Sequence, residues 1–141
     1  MSFSIYVAAS SHEIDRAERC MAALRAAGII VTSTWPTTIR NVGDANPMTA
    51  TREQRYPWAD GDIAEVNGAS GFLLLMPQKA SQGAFFEFGF AFASEKVTWV
   101  SGPNQGASIF TALANHHHDT DEEAIASVIN FAAISRYGTG V

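Results

Sequence analysis

The chain is expected to fold as an α/β domain, a doubly wound, flavodoxin- or Rossmann-like parallel sheet of four to five strands flanked by helices. Three observations predict this. Short apolar, β-branched runs alternate along the sequence with stretches of helical spacing. The run Phe72-Leu73-Leu74-Leu75-Met76 is apolar throughout, as a central parallel strand covered on both faces must be. With 47% hydrophobic and 16% charged residues among 141, there is enough apolar material for a packed core.

Residues 3–8 form the first predicted strand. Ser10 and Glu13 then have the spacing of a capping box. Ile14, Ala17, Met21 and Leu24 recur at helical intervals, and Gly28 stands where a helix C-terminus favours glycine. Residues 29–32 make a second strand, and the helical crossover between the two implies that they run parallel. Residues 33–51 lose periodicity and read as a long loop, in which Trp35 is a candidate to close over a ligand. Helical spacing returns at Tyr56, Ala59, Ile63 and Val66, with Pro57 expected in the first turn. A strand over 71–76, a helix over 83–94 and a strand over 97–101 follow. Residues 108–113 suit a short helix. Thr120 and Glu123 have capping-box spacing ahead of a last helix striped by Ile125, Val128, Ile129 and Ala132. No repeat and no second domain is visible, so one domain spanning 1–141 is expected.

The totals exclude several classes of function. A net charge of −5 disfavours a nucleic-acid polymer or an anionic membrane as partner, because phosphate binding needs clustered Lys and Arg. One cysteine, Cys20, permits no intrachain disulfide. With neither a leader-like N-terminus nor a long apolar run, a cytoplasmic setting is expected. His116-His117-His118 reads as a solvated loop, since adjacent histidines lack the spacing that converges on one metal. No metal and no cofactor is expected, and no Walker loop, GxGxxG or GxSxG motif is present.

The candidate chemistry centres on Glu87, the lone carboxylate in Ala84-Phe85-Phe86-Glu87-Phe88-Gly89-Phe90-Ala91-Phe92-Ala93. A helix apolar all round is expected to be buried. A carboxylate on it must be ion-paired, protonated or turned into a polar pocket. Gly89 in mid-helix signals close approach of another group. Asp62 lies beside the stripe of the preceding helix, either complementing the helix dipole or meeting Glu87 in a pocket. Two carboxylates from different elements suit glycosidic chemistry, one as nucleophile and one as acid or base. Ser81-Gln82-Gly83 opens the Glu87 helix and is either an ordinary cap or a site for an anion or sugar hydroxyl.

Over residues 3–113 these pieces resemble the nucleoside 2-deoxyribosyltransferase family, including its 2′-deoxynucleoside 5′-phosphate N-hydrolase relatives. The matching positions are Tyr6 and Ser10, Asp62 ahead of Asn67-Gly68-Ala69-Ser70, Ser81, Gly83, and Glu87-Phe88-Gly89-Phe90-Ala91. The resemblance implies that Glu87 is the nucleophile, that Asp62 assists the departing or incoming base, and that Tyr6 positions the Glu87 carboxylate. Ser10, Ser81, Gly83 and Ser108 would bind substrate, with Thr111 an alternative to Ser108, supplied to each site by a partner in a homodimer or higher oligomer. Ser81 in place of the transferases' Asp leans towards a nucleotide. Ser11-His12-Glu13 departs from the Arg- and Gly-rich loop of the phosphate hydrolases. An NAD glycohydrolase and a catalytically silent nucleotide-sensing module are the competing expectations.

Overall fold

The computed structural model describes residues 2–42, 49–79 and 81–139, with side chains to residue 135. Five parallel strands form one sheet: β1 (Ser4–Ala8), β2 (Ile30–Val31), β3 (Gly71–Leu75), β4 (Val97–Ser101) and β5 (His116–His118), in the order β2-β1-β3-β4-β5. Among the described residues five α-helices accompany it: α1 (Ile14–Ala26), α2 (Trp35–Val42), α3 (Arg52–Gly68), α4 (Gln82–Ala93) and α5 (Asp121–Thr139). This is the doubly wound architecture expected, with five strands. The strand order reverses direction between β1 and β3, where folds of this kind leave a crevice at the carboxyl ends.

The core follows from the apolar runs. Ile5, Tyr6, Val7 and Ala8 of β1 and Phe72 to Leu75 of β3 are wholly buried. Helix α1 buries Ala17, Cys20, Met21 and Leu24 and packs beside α5, which buries Ala124, Val128 and Ala132. Helices α3 and α4 pack together near β1. Arg16 ties the carboxyl ends together: it donates to Glu13, to Asp121 and to the main-chain oxygen of Met76 at 2.7–2.9 Å.

Several expectations need correction. The histidine tract is a strand and not a solvated loop. His116 stacks on Trp99, with ring centroids 4.9 Å apart, and also meets Phe131, so aromatic contact draws the segment onto the sheet edge. Part of the expected 33–51 loop is α2, and residues 43–48 lie outside the described residues. Pro36 falls within the first turn of α2, where a missing N–H costs nothing. Trp35 does not close over a ligand: it is buried, and its indole N–H donates to the Val7 oxygen at 2.8 Å.

Helix α3 begins earlier than expected, at a Thr51–Gln54 capping box, which places Pro57 inside it. Tyr56, 65% exposed, and Ala59 lie on an open face, and of the expected stripe only Val66 is buried. Glu13 does not complete a capping box with Ser10: its carboxylate binds Arg16 and the Gln78 N–H instead. Helix α4 is not enclosed. Ala84, Phe88 and Ala91 are buried, but Phe86 is 70% exposed and Phe92 and Gly89 are also open.

Candidate active site

Tyr6 lies in the middle of β1 and points to the α3–α4 side of the sheet. Its ring stacks on Phe72, the residue opposite it on β3, at 5.7 Å, and Phe72 in turn meets Phe88 of α4 edge-on. With the ring held, the phenol can reach in one direction, and it donates a 2.6 Å hydrogen bond to Glu87 Oε2. Phe88 beside Glu87 is the anchor that turns the carboxylate inward. Glu87 is therefore neither ion-paired, among the described residues, nor free; it shares its site with a phenol.

Burial dominates the electrostatics here. It pushes the Glu87 carboxyl up to about 8, against the opposing pull of the Tyr6 hydrogen bond, and the negative charges of Asp62 and Glu65 push it further. Asp62 is raised to about 6, by burial first and by Glu65 second. The Tyr6 phenol is held far above its ordinary range by burial and by the same carboxylates, so it remains a proton donor. Two carboxyl groups poised around neutrality beside a fixed phenol are equipped for proton transfer and nucleophilic attack. Asp62 belongs to the same charge cluster as Glu87, as sequence spacing could only suggest.

The other expected residues stand as follows. Ser10 is buried and accepts from the His12 N–H at 3.2 Å, capping the 3-10 turn Ser11–Glu13 just past β1. Ser81 caps α4, accepting from Ala84 N–H at 3.5 Å. Gly83 is exposed in the first turn of α4. Beyond their own helix turn, neither Gly83 nor Gly89 has an atom within 4 Å of where a Cβ would be, so the close approach expected at Gly89 is not met among the described residues. Ser108 caps the 3-10 turn Ile109–Leu113, beyond β4. Thr111 is buried and donates to the main-chain oxygens of Gln105 and Ser108. Neither Ser108 nor Thr111 bonds to the Tyr6–Glu87 pair.

Sequence reasoning missed Glu65, which acts on Tyr6, Asp62 and Glu87 together. Its position three residues after Asp62, one helical turn on, was the available signal.

No protein-family model matches the sequence, and no curated protein matches it. Among solved structures, the fold is similar to that of the CMP N-glycosidase BcmB from Clostridium botulinum. The two share a TM-score of 0.60 and 15% identity over 91% of this chain and 98% of that one. At that identity the likeness concerns the fold. It spans all but a tenth of the chain.

Proposed function

We infer that the protein is an enzyme of N-glycosidic bonds, cleaving or transferring the glycosyl group of a nucleoside, a 2′-deoxynucleoside or its 5′-monophosphate. The observation that carries this reading is the Tyr6–Glu87 hydrogen bond, which joins the two residues to which the family resemblance gives the nucleophile and its positioner. A fold shared with a CMP N-glycosidase supports it. In the reaction the ionised Glu87 attacks the anomeric carbon as the carbon–nitrogen bond to the base breaks. Asp62 gives its proton to the departing base. Water, or a second base, then attacks the glycosyl ester, Asp62 takes the proton released, and Glu87 leaves as a carboxylate. Tyr6 holds the carboxylate in line and stabilises its charge as it departs. Ser10, Ser81 and Gly83 contact the sugar or its 5′ substituent. Ser108 is supplied by a second copy.

The exposed apolar face of α4 favours a homodimer, as do Ile109, 81% exposed, and Phe110 beside Ser108. Sedimentation should show a dimer, and Phe86→Glu should shift it to monomer with loss of activity.

The test of the reaction is release of free base, followed by chromatography, from deoxynucleosides, their 5′-monophosphates and NAD, with and without an acceptor base. Wild-type protein should release base, and Glu87→Gln should be slower by at least about 10³-fold while still binding substrate. Exchange that needs an acceptor base would make the enzyme a transferase. Consumption of NAD alone would favour a glycohydrolase. Binding without release on every substrate would overturn the catalytic reading.

A further inference from the structure

Glu65 has a place in this site that no family pattern given above assigns. Three hydrogen bonds join it to the turn between β2 and α2. Its main-chain oxygen accepts from Thr32 Oγ1 at 3.0 Å, and its carboxylate accepts from the Thr34 N–H at 3.0 Å and from the Thr34 hydroxyl. The same turn is fastened to β1. Thr32 N–H donates to the Ile5 oxygen at 2.9 Å, Val7 N–H donates to Ser33 Oγ at 3.0 Å, and Trp35 donates to the Val7 oxygen at 2.8 Å. Ile5 and Val7 flank Tyr6. Asp62 lies one helical turn from Glu65 on α3. The turn at 32–35 is thus a bridge, with the strand of Tyr6 on one side and the helix of Asp62 on the other.

We propose that Glu65 is a positioning residue for the site: by gripping Thr32 and Thr34 it fixes the turn of α3 that carries Asp62 against the strand that carries Tyr6. Its charge has a second effect, because it disfavours ionisation of both Asp62 and Glu87. The groups acting on Glu87 are Tyr6 from β1 and Asp62 and Glu65 from α3, and no Lys, Arg or His among the described residues offsets them. The proposal rests on the catalytic reading for its kinetic consequences but not for its structural ones.

Two variants separate grip from charge. Glu65→Gln retains an oxygen for the Thr34 N–H and loses the charge. Glu65→Ala loses the charge and the carboxylate's hold on Thr34, keeping only the main-chain bond to Thr32. Titration of the Asp62 and Glu87 carboxyl carbons by ¹³C NMR needs no substrate and therefore stands even if the chain proves not to be a glycosidase. In Glu65→Gln both carboxyls should titrate at lower pH than in wild type. In Glu65→Ala, with circular dichroism confirming a folded protein, Asp62 should fall further, because the loosened helix turn admits water. If base release is found, the pH profile of kcat/KM for Glu65→Gln should slide to lower pH with its maximum within a few-fold of wild type. Glu65→Ala should lose roughly 10-fold or more in kcat with KM little changed. Thr34→Val, which keeps the charge and weakens the grip, should lower kcat and shift only the Asp62 limb of the profile, slightly, to lower pH. Unchanged titration of both carboxyls in both variants would overturn the proposal, whatever the activity. So would full kcat in Glu65→Ala.

Discussion

At Glu87 two opposed influences act on one proton. Burial holds the carboxyl up at about 8, and the phenol of Tyr6 pulls it down. Removing the phenol therefore has a signed consequence. In Tyr6→Phe the downward pull is lost, so Glu87 ionises at still higher pH, whereas Asp62 is untouched. Because Glu87 ionises at about 8 and Asp62 at about 6, the productive form with Glu87 ionised and Asp62 protonated is a minor one between those values. Its population gives a bell-shaped kcat/KM profile with limbs near 6 and 8. Tyr6→Phe should move only the upper limb, to higher pH, and lower the maximum by roughly 10- to 100-fold. That is the worth of a hydrogen bond to a charged group, about 1.5–3 kcal/mol. A profile that shifted as a whole would mean that the phenol acts on Asp62 as well. Glu65 differs in this respect, since its charge acts on both carboxyls. Tyr6 and Glu65 can thus be told apart by kinetics alone.

Two helices end in the same backbone motif built from different residues. After α1 the N–H of Ile29 reaches back to Leu24 and that of Gly28 to Arg25. After α4 Lys96 reaches Ala91 and Glu95 reaches Phe92. The motif places one residue in the left-handed region: Gly28 at φ 85° and Glu95 at φ 60°. Glycine takes that conformation freely, and glutamate pays a steric penalty there. Glu95→Gly should stabilise the protein by about 1 kcal/mol in urea denaturation; a loss of stability would show that the Glu95 side chain makes compensating contacts. The same pair of helices shows what could be read from sequence. The end of α1 was legible because its glycine announces it, and Glu87 because a single carboxylate interrupts an apolar run. Strand β5 was hidden because three histidines carry no apolar signal, and the contact that orders them, His116 on Trp99, joins distant segments. Helix α2 was hidden for a related reason: Thr37, Thr38 and Pro36 are poor helix formers, and Trp35 reaching Val7 decides the matter. Glu65 looked like any helical glutamate until the fold brought Thr34 to it. Alternation of apolar runs, by contrast, is a local property, and it was enough for the sheet.

For the molecule as a whole, the raised carboxyl couples stability to pH. Glu87 binds its proton more tightly folded, at about 8, than unfolded, at its ordinary 4.5. The folded state therefore holds more protons between these values, and this site makes stability fall as pH rises through that window. The cost is absent below 4.5, complete above about 8, and close to 1.4 kcal/mol for each pH unit of displacement. Glu87→Gln removes it, so its melting temperature should gain on wild type progressively from pH 5 to pH 9. A constant difference between the two would mean that Glu87 is not buried at the cost described. No helix among the described residues is long and apolar enough to cross a membrane. The bridge at residues 32–35 has an effect beyond the site. Strand β2 pairs with β1 over two residues only, which would leave the buried backbone groups of Val7 without partners. Ser33 and Trp35 occupy the amide and carbonyl of Val7 with side chains. Past the end of β2, the sheet is thereby completed by side chains in place of a strand, and Ser33→Ala combined with Trp35→Phe should leave the buried Val7 amide and carbonyl without partners and lower the melting temperature.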